Sequence, residues 1–178
     1  MSALESRGVG GESAAYDPRA GWTAVTVFLL LSALAWLDRK IIAFMVGPLR
    51  EALGATDFQI SLLQGLAFVL FYSLAALPIG WAVDRFSRRR IIFWGIITWS
   101  AFAMAGGVAR TYWHLLVARF GVGAGEASLH PAATSMLADL FPKHKLTTAI
   151  AVFGLGGILG SAISNAIGGL VDGFTEGS

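Results

Sequence analysis

Beyond Gly21 the chain is a series of uncharged apolar runs separated by short charged clusters. Residues 1–21 are rich in Ser, Gly and charge and lack periodicity, so they read as a disordered tail. The runs that follow predict five helices, over about 22–46, 58–83, 91–109, 111–140 and 146–171. The first is uncharged from Trp22 to Leu37, meets Asp38-Arg39-Lys40, and resumes as Ile41 to Val46 before Gly47-Pro48. Trp22–Leu37 is shorter than the ~20 residues that cross a bilayer. The first helix must therefore hold the charged triplet in its outer half. The second, Phe58–Val83, is uncharged throughout and can be capped by Thr56 or Asp57. A basic loop, Asp84-Arg85-Phe86-Ser87-Arg88-Arg89-Arg90, precedes the third, and a turn at Arg110 precedes the fourth, which is expected to bend at Pro131. Phe141-Pro142-Lys143-His144-Lys145 leads into the fifth.

Alternating loops sort the charges. Arg7, Arg19, Arg85, Arg88, Arg89, Arg90, Lys143 and Lys145 fall on one side. Arg50 and Arg110 fall on the other, with Glu51, Asp57, Asp172 and Glu176. Positive loops stay in the cytoplasm, which places the N-terminus there and predicts a multi-pass integral membrane protein. The first run is too long for a secretory leader and no small-residue cleavage pattern follows it.

Composition agrees. Apolar residues make up 56% of the chain and charged residues 13%, where a soluble domain carries roughly a quarter charged. The net charge of +2 argues against a nucleic-acid surface. With no cysteine there is neither disulfide nor thiol chemistry. That absence, and the lack of an N-x-[ST] acceptor in the outer loops, fits a bacterial inner membrane.

Candidate chemistry concentrates in Arg119-Phe-Gly-Val-Gly-Ala-Gly-Glu-Ala-Ser-Leu-His-Pro131. A charge at the centre of a membrane helix costs about 2.5–3.5 kcal/mol on insertion scales, so those retained usually face a cavity or each other. Arg119 and Glu126 are two helical turns apart on one face, and His130 follows one turn later. Taking ~1.5 Å per residue, Asp38 and Arg119 lie at similar depth, with Glu126 roughly 10 Å deeper. Gly121 and Gly125 form a G-x-x-x-G that admits a neighbouring helix, and Gly157, Ser161, Ser164 and Gly168 form a small-residue packing stripe on the fifth helix.

Other chemistries are poorly served. Ser128 and His130, two apart, point to different helix faces and cannot act as nucleophile and base. Glu126 and His130 lack a third metal ligand. Gly154-Leu-Gly-Gly lacks the lysine and hydroxyl of a phosphate loop. Neither an enzyme, a cofactor nor a metal is expected.

Gly80-Trp-Ala-Val-Asp84-Arg85-Phe-Ser87-Arg88-Arg89-Arg90 resembles the major facilitator superfamily's loop signature, G-x-x-x-D-R-x-G-R-[RK]. Arg119-x-x-x-Gly123-x-Gly125 resembles its second motif, and both stand at the helices where that family carries them. Asp38-Arg39, Ser87 in place of the loop glycine, Gly125-Glu126-Ala127-Ser128 and Ala138-Asp139-Leu-Phe-Pro are similar to the Spinster branch, while Lys145 stands where many relatives carry arginine. The resemblance spans roughly Trp22 to Val171. It implies the first five helices of an N-terminal six-helix half, with a C-terminal half as the missing partner, so transport by these residues alone is not expected.

The resemblance further implies a proton-coupled secondary transporter of an amphipathic anion, lysolipid or sphingoid-like, in contact with the lipid bilayer. Glu126 and Asp38 would couple protons, and Arg39 and Arg119 would meet the anion. Gly80, Asp84, Arg85, Arg88 and Arg89 would form a cytoplasmic gate, Asp84 and Arg88 latching to the opposite half. Burial and a neighbouring cation pull a carboxyl's proton affinity in opposite directions, so such a site can load and release a proton. Several alternatives stay open. Arg119–Asp38 can be a structural ion pair, Glu126 a plain interhelical hydrogen-bonder, and His130 a packing residue. A sugar-acid symporter keeps the mechanism with another substrate, and a non-transporting accessory or degenerate membrane subunit is a different class.

Overall fold

The computed structural model describes residues 16–44 and 46–176, and every element among them is helical. The expected tail lies outside the described residues up to Ala15. Its end does not: α1 (Pro18–Phe44) starts four residues before Trp22. Proline at the first helical position loses nothing, and the Asp17 carboxylate accepts a hydrogen bond from the Arg19 N–H at 2.9 Å, a start signal that the apolar pattern masks.

The Gly47-Pro48 step does not leave helix behind. A short α2 (Val46–Leu53) carries the proline in its first turn. Gly54 then turns the chain at φ +59°, in the left-handed region that glycine alone enters freely. α3 (Asp57–Ser61) begins at a capping box: the Gln59 N–H donates to the Thr56 hydroxyl at 3.3 Å, and the Thr56 N–H to the Gln59 side chain at 2.9 Å. One wider π turn, Leu62–Leu66, joins it to α4 (Ala67–Arg85).

α5 (Arg88–Gly107) starts inside the arginine run, so the loop shrinks to Phe86-Ser87. Three arginines in a first turn oppose the helix dipole, a cost of tenths of a kcal/mol each at an exposed end. The fourth expected helix is two helices, α6 (Tyr112–Glu126) and α7 (Leu129–Leu140). Pro131 causes the break, but upstream of itself: it offers no N–H to the Ala127 carbonyl and its ring would strike that oxygen. The helix therefore stops at Ala127-Ser128, the Ser128 hydroxyl donates to the Gly125 carbonyl at 2.8 Å, and the proline rides in the first turn of α7. α8 runs from Lys143 to Glu176. By length and composition α1, the α3–α4 unit, α5 and α8 can each cross a membrane. α6 and α7, of 15 and 12 residues, cross only in series.

α6 is the centre of the bundle. Ten of its residues are buried, Arg119 and Glu126 among them. α5 closes on one side, where a Cβ on Gly125 would stand 2.6 Å from the Trp99 nitrogen and 2.7 Å from the Gly95 carbonyl. Gly121 is equally occupied, by the Phe102 ring. α1 packs chiefly along α8. There the backbones meet most closely at Gly156 and Gly160, against the carbonyls of Leu29 and Ala33, while Gly157 lies against the Trp36 side chain and Gly168 against that of Phe44. Ser164 is buried and Ser161 half-buried. The outward faces carry Leu70, Leu74, Leu77, Trp81, Phe93, Trp94 and Met104 well exposed, apolar surface that water would not tolerate and lipid or a partner half would.

Candidate functional site

Successive residues of a helix point about 100° apart, so Asp38 and Arg39 on α1 reach different parts of α6. Arg119 sits 6% exposed. Its Nη1 donates to Asp38 Oδ2 at 3.1 Å and its Nη2 to the Asp38 backbone carbonyl at 3.2 Å. Two turns further along α6, Glu126 is 1% exposed and takes both Nε (2.8 Å) and Nη2 (2.6 Å) of Arg39 on the single oxygen Oε2. Its other oxygen, Oε1, is enclosed and has no hydrogen-bond partner. The four expected site residues therefore come together as two ion pairs joining α1 to α6, with a summed charge of zero.

The guanidinium of Arg39 also lies over three aromatic rings: Phe68 at 4.7 Å, Trp36 at 5.3 Å and Tyr72 at 5.3 Å. Such contacts contribute about 0.5–2 kcal/mol each, more where water is excluded. Trp36 is one turn from Arg39 on α1, and Phe68 and Tyr72 are one turn apart on α4. These three are absent from the sequence-derived site. The spacings were legible, but nothing in them says which cation they serve. Arg119 borders two recesses. One of about 390 Å³ carries Asp38, Phe102 and Ala118 in its wall, and one of about 170 Å³ carries Arg39, Gln64 and Phe68.

His130 does not join the pairs. Its ring tilts against Phe153 of α8 at 5.3 Å instead. At the arginine-rich end, Arg88 pairs with Asp139 at the end of α7, within this bundle, with side chains 34% and 63% exposed. Asp139 is a further residue absent from the expected gate. Arg85 lies over Trp81 at 4.5 Å, Asp84 and Arg89 are exposed, and Gly80 faces open space. Among the described residues no group of three or more His, Asp or Glu could hold a metal.

A broken helix carrying buried, mutually neutralising charges inside an otherwise apolar bundle is the pattern of a membrane protein whose intramembrane charges pair with one another. Residues 28–175 match the Major Facilitator Superfamily model, and the chain belongs to that family. It is 33% identical over 152 residues to the sphingosine-1-phosphate transporter SPNS2 of Mus musculus, covering 80% of this chain and 28% of that protein. It is 28% identical over 145 residues to a probable L-galactonate transporter of Escherichia coli, covering 82% of this chain and 32% of that one. Among solved structures, a bacterial homologue of the human lysosomal transporter Spinster, inward-facing and unoccupied, superposes with a TM-score of 0.82 at 30% identity, over 86% of this chain and 32% of the other. The chain thus spans about a third of the length of these relatives.

Proposed function

We propose that the chain forms one wall of the path of a proton-coupled secondary transporter for an amphipathic or anionic small molecule, and works with a second half of the kind its longer relatives possess. The observation that carries this reading is the α1–α6 quartet: two acids and two arginines, largely withdrawn from water, with one oxygen of Glu126 left without a partner. In this mechanism a proton taken by Glu126 or Asp38 releases Arg39 or Arg119 to hold the substrate anion. Loss of the proton restores the ion pair and expels the anion. Asp84, Arg85, Arg88 and Arg89 sit on the cytoplasmic side with the N-terminus, as the arginine distribution supports. Asp84 there latches to the other half while Arg88–Asp139 fixes the loop. The membrane is a bacterial inner membrane.

The test is a chimera in which residues 22–171 replace the matching part of the full-length bacterial Spinster homologue, assayed in proteoliposomes under an imposed pH gradient. Glu126→Gln is expected to abolish gradient-driven uptake while leaving exchange of bound substrate. Unchanged gradient dependence sinks the coupling role. The likeness to the L-galactonate transporter supports a second reading, symport of a hydroxylated organic acid by the same quartet. Uptake of a lysolipid against that of a sugar acid by the same chimera separates the two.

A further inference from the structure

One turn from the Arg39–Glu126 pair lies a cavity of about 510 Å³ that the ion-pair mechanism leaves unused. Its wall is made by Ser32 and Trp36 of α1, His130 of α7, and Gly154, Gly157 and Ser161 of α8. The size falls in the range of small-molecule sites, in which a few placed polar groups fix orientation. Here the polar groups are all uncommitted. Thr23, Thr26 and Thr134 turn their hydroxyls back onto the carbonyl four residues earlier, as hydroxyls in membrane helices usually do. Among the described residues Ser32 and Ser161 do not: neither hydroxyl has a hydrogen-bond partner there, although Ser32 is 2% exposed. The indole nitrogen of Trp36 lies against Gly157, where a Cβ would stand 2.8 Å from it, and has no acceptor among those residues. The imidazole of His130 has no partner among them either, and its Nδ1 is enclosed.

An enclosed nitrogen without an acceptor nearby is less costly bare than protonated, since orphaned N–H groups are the rarer kind. The neutral ring then carries its proton on Nε2, the nitrogen that is not enclosed. His130, Trp36 and the two serines thus bring four donors, and no net charge, to one cavity. The hydroxyls, the indole N–H and the imidazole N–H line this recess, where a ligand oxygen can meet them.

We infer that this cavity is a hydroxyl-reading subsite: His130, with Ser32, Ser161 and Trp36, binds an uncharged oxygen of the transported anion while the arginines hold its charge. Ser161 is then a binding residue rather than part of the packing stripe, and Gly154 and Gly157 keep the cavity open. The inference rests on the proposed transport reading and narrows its substrate to an anion carrying a hydroxyl close to the charged group. Lysolipids and sugar acids both satisfy it.

The test is equilibrium binding to the 178-residue protein in phosphatidylcholine nanodiscs, using two matched pairs of probes. One pair is oleoyl lysophosphatidate and its 2-deoxy analogue; the other is L-galactonate and hexanoate. Wild type is expected to prefer the hydroxylated member of one pair at least about tenfold, which also identifies the source of the hydroxyl. His130→Leu should bring the preference below about twofold with the deoxy probe's affinity unchanged, His130→Gln should keep part of it, and Ser161→Ala, too small a change to unfold α8, should lower it severalfold. A preference that survives both His130→Leu and Ser161→Ala overturns the subsite alone. Failure of all four anions to bind wild type overturns the subsite, while the transport reading stands or falls separately on gradient-driven uptake by the chimera.

Discussion

Buried and exposed ion pairs both join the described helices, Arg50–Asp57 being exposed like Arg88–Asp139, and the two kinds differ in nearly everything except chemistry. Asp38–Arg119 and Arg39–Glu126 lie inside the bundle, with Arg119 and Glu126 almost wholly buried, and Arg39 is further wrapped by three aromatic rings. Arg88–Asp139 lies at a helix end with both side chains substantially exposed. In the inner pairs Arg119 and Glu126 are withdrawn from water, and their charges are tolerable because Asp38 and Arg39 are there. The outer pair can part at little expense, because water replaces either partner. Under the proposed transport reading, the first arrangement suits a site that answers to one added proton or anion, and the second a loop that lets go.

The contrast can be broken most directly at Arg119. Asp38→Leu strands the buried Arg119 charge inside the bundle and is expected to destabilise the helix assembly by about 3–5 kcal/mol, measured by denaturant unfolding in micelles. The double variant Asp38→Leu with Arg119→Leu should recover most of that loss. A single-variant cost below about 1 kcal/mol would show that the inner pairs behave like the outer one. Next in size is Gly125→Val. It leaves every charge in place but drives methyl groups into the Trp99 and Gly95 backbones, and overpacking costs typically about 1–3 kcal/mol. Gly154→Ala, where nothing lies within 4 Å, is the matched control and should be neutral.

Phe68→Leu removes the nearest ring over Arg39 and is expected to lose about 0.5–2 kcal/mol. The loss should largely vanish in an Arg39→Leu background, where a loss from packing alone would persist. Smallest is Arg88→Ala, at about 0.2–1 kcal/mol, and only this effect should fade between 0.05 and ~0.5 M salt. Salt sensitivity at Arg119 equal to that at Arg88 would mean that water reaches the inner pairs freely.

Apolar runs and charge clusters were enough to place the helical architecture, because lipid leaves a membrane chain little choice but helix. Helix ends were harder. Asp17-Pro18 starts α1 with a local cap that hydropathy does not register, and the arginines at 88–90 belong to α5 although their charge reads as loop. Pro131 announced a break without fixing its place, since the clash falls on the carbonyl four residues upstream. The quartet was legible because charges are so scarce in this chain that any two at matching depth tend to meet. Depth paired Asp38 with Arg119, as the structure has it, whereas the reach of Arg39 to the deeper Glu126 depended on about 100° of rotation along α1, which depth does not register. The α1–α8 contact at Gly156 and Gly160 was missed for a related reason. Glycines are so frequent on α8 that the face turned to α1 is set by Leu29 and Ala33, on a helix more than a hundred residues away.

The zero sum of the quartet has a consequence in volts. Carrying one elementary charge across a membrane potential of 100 mV takes or yields about 2.3 kcal/mol. Two arginines and two carboxylates that shift together, as parts of α1 and α6, carry none. Under the proposed transport reading, the quartet of the empty protein gives the membrane voltage nothing to act on. A proton aboard alone would raise the sum to +1 and hand that step to the field, whereas a proton accompanied by a monoanion would leave it electrically silent.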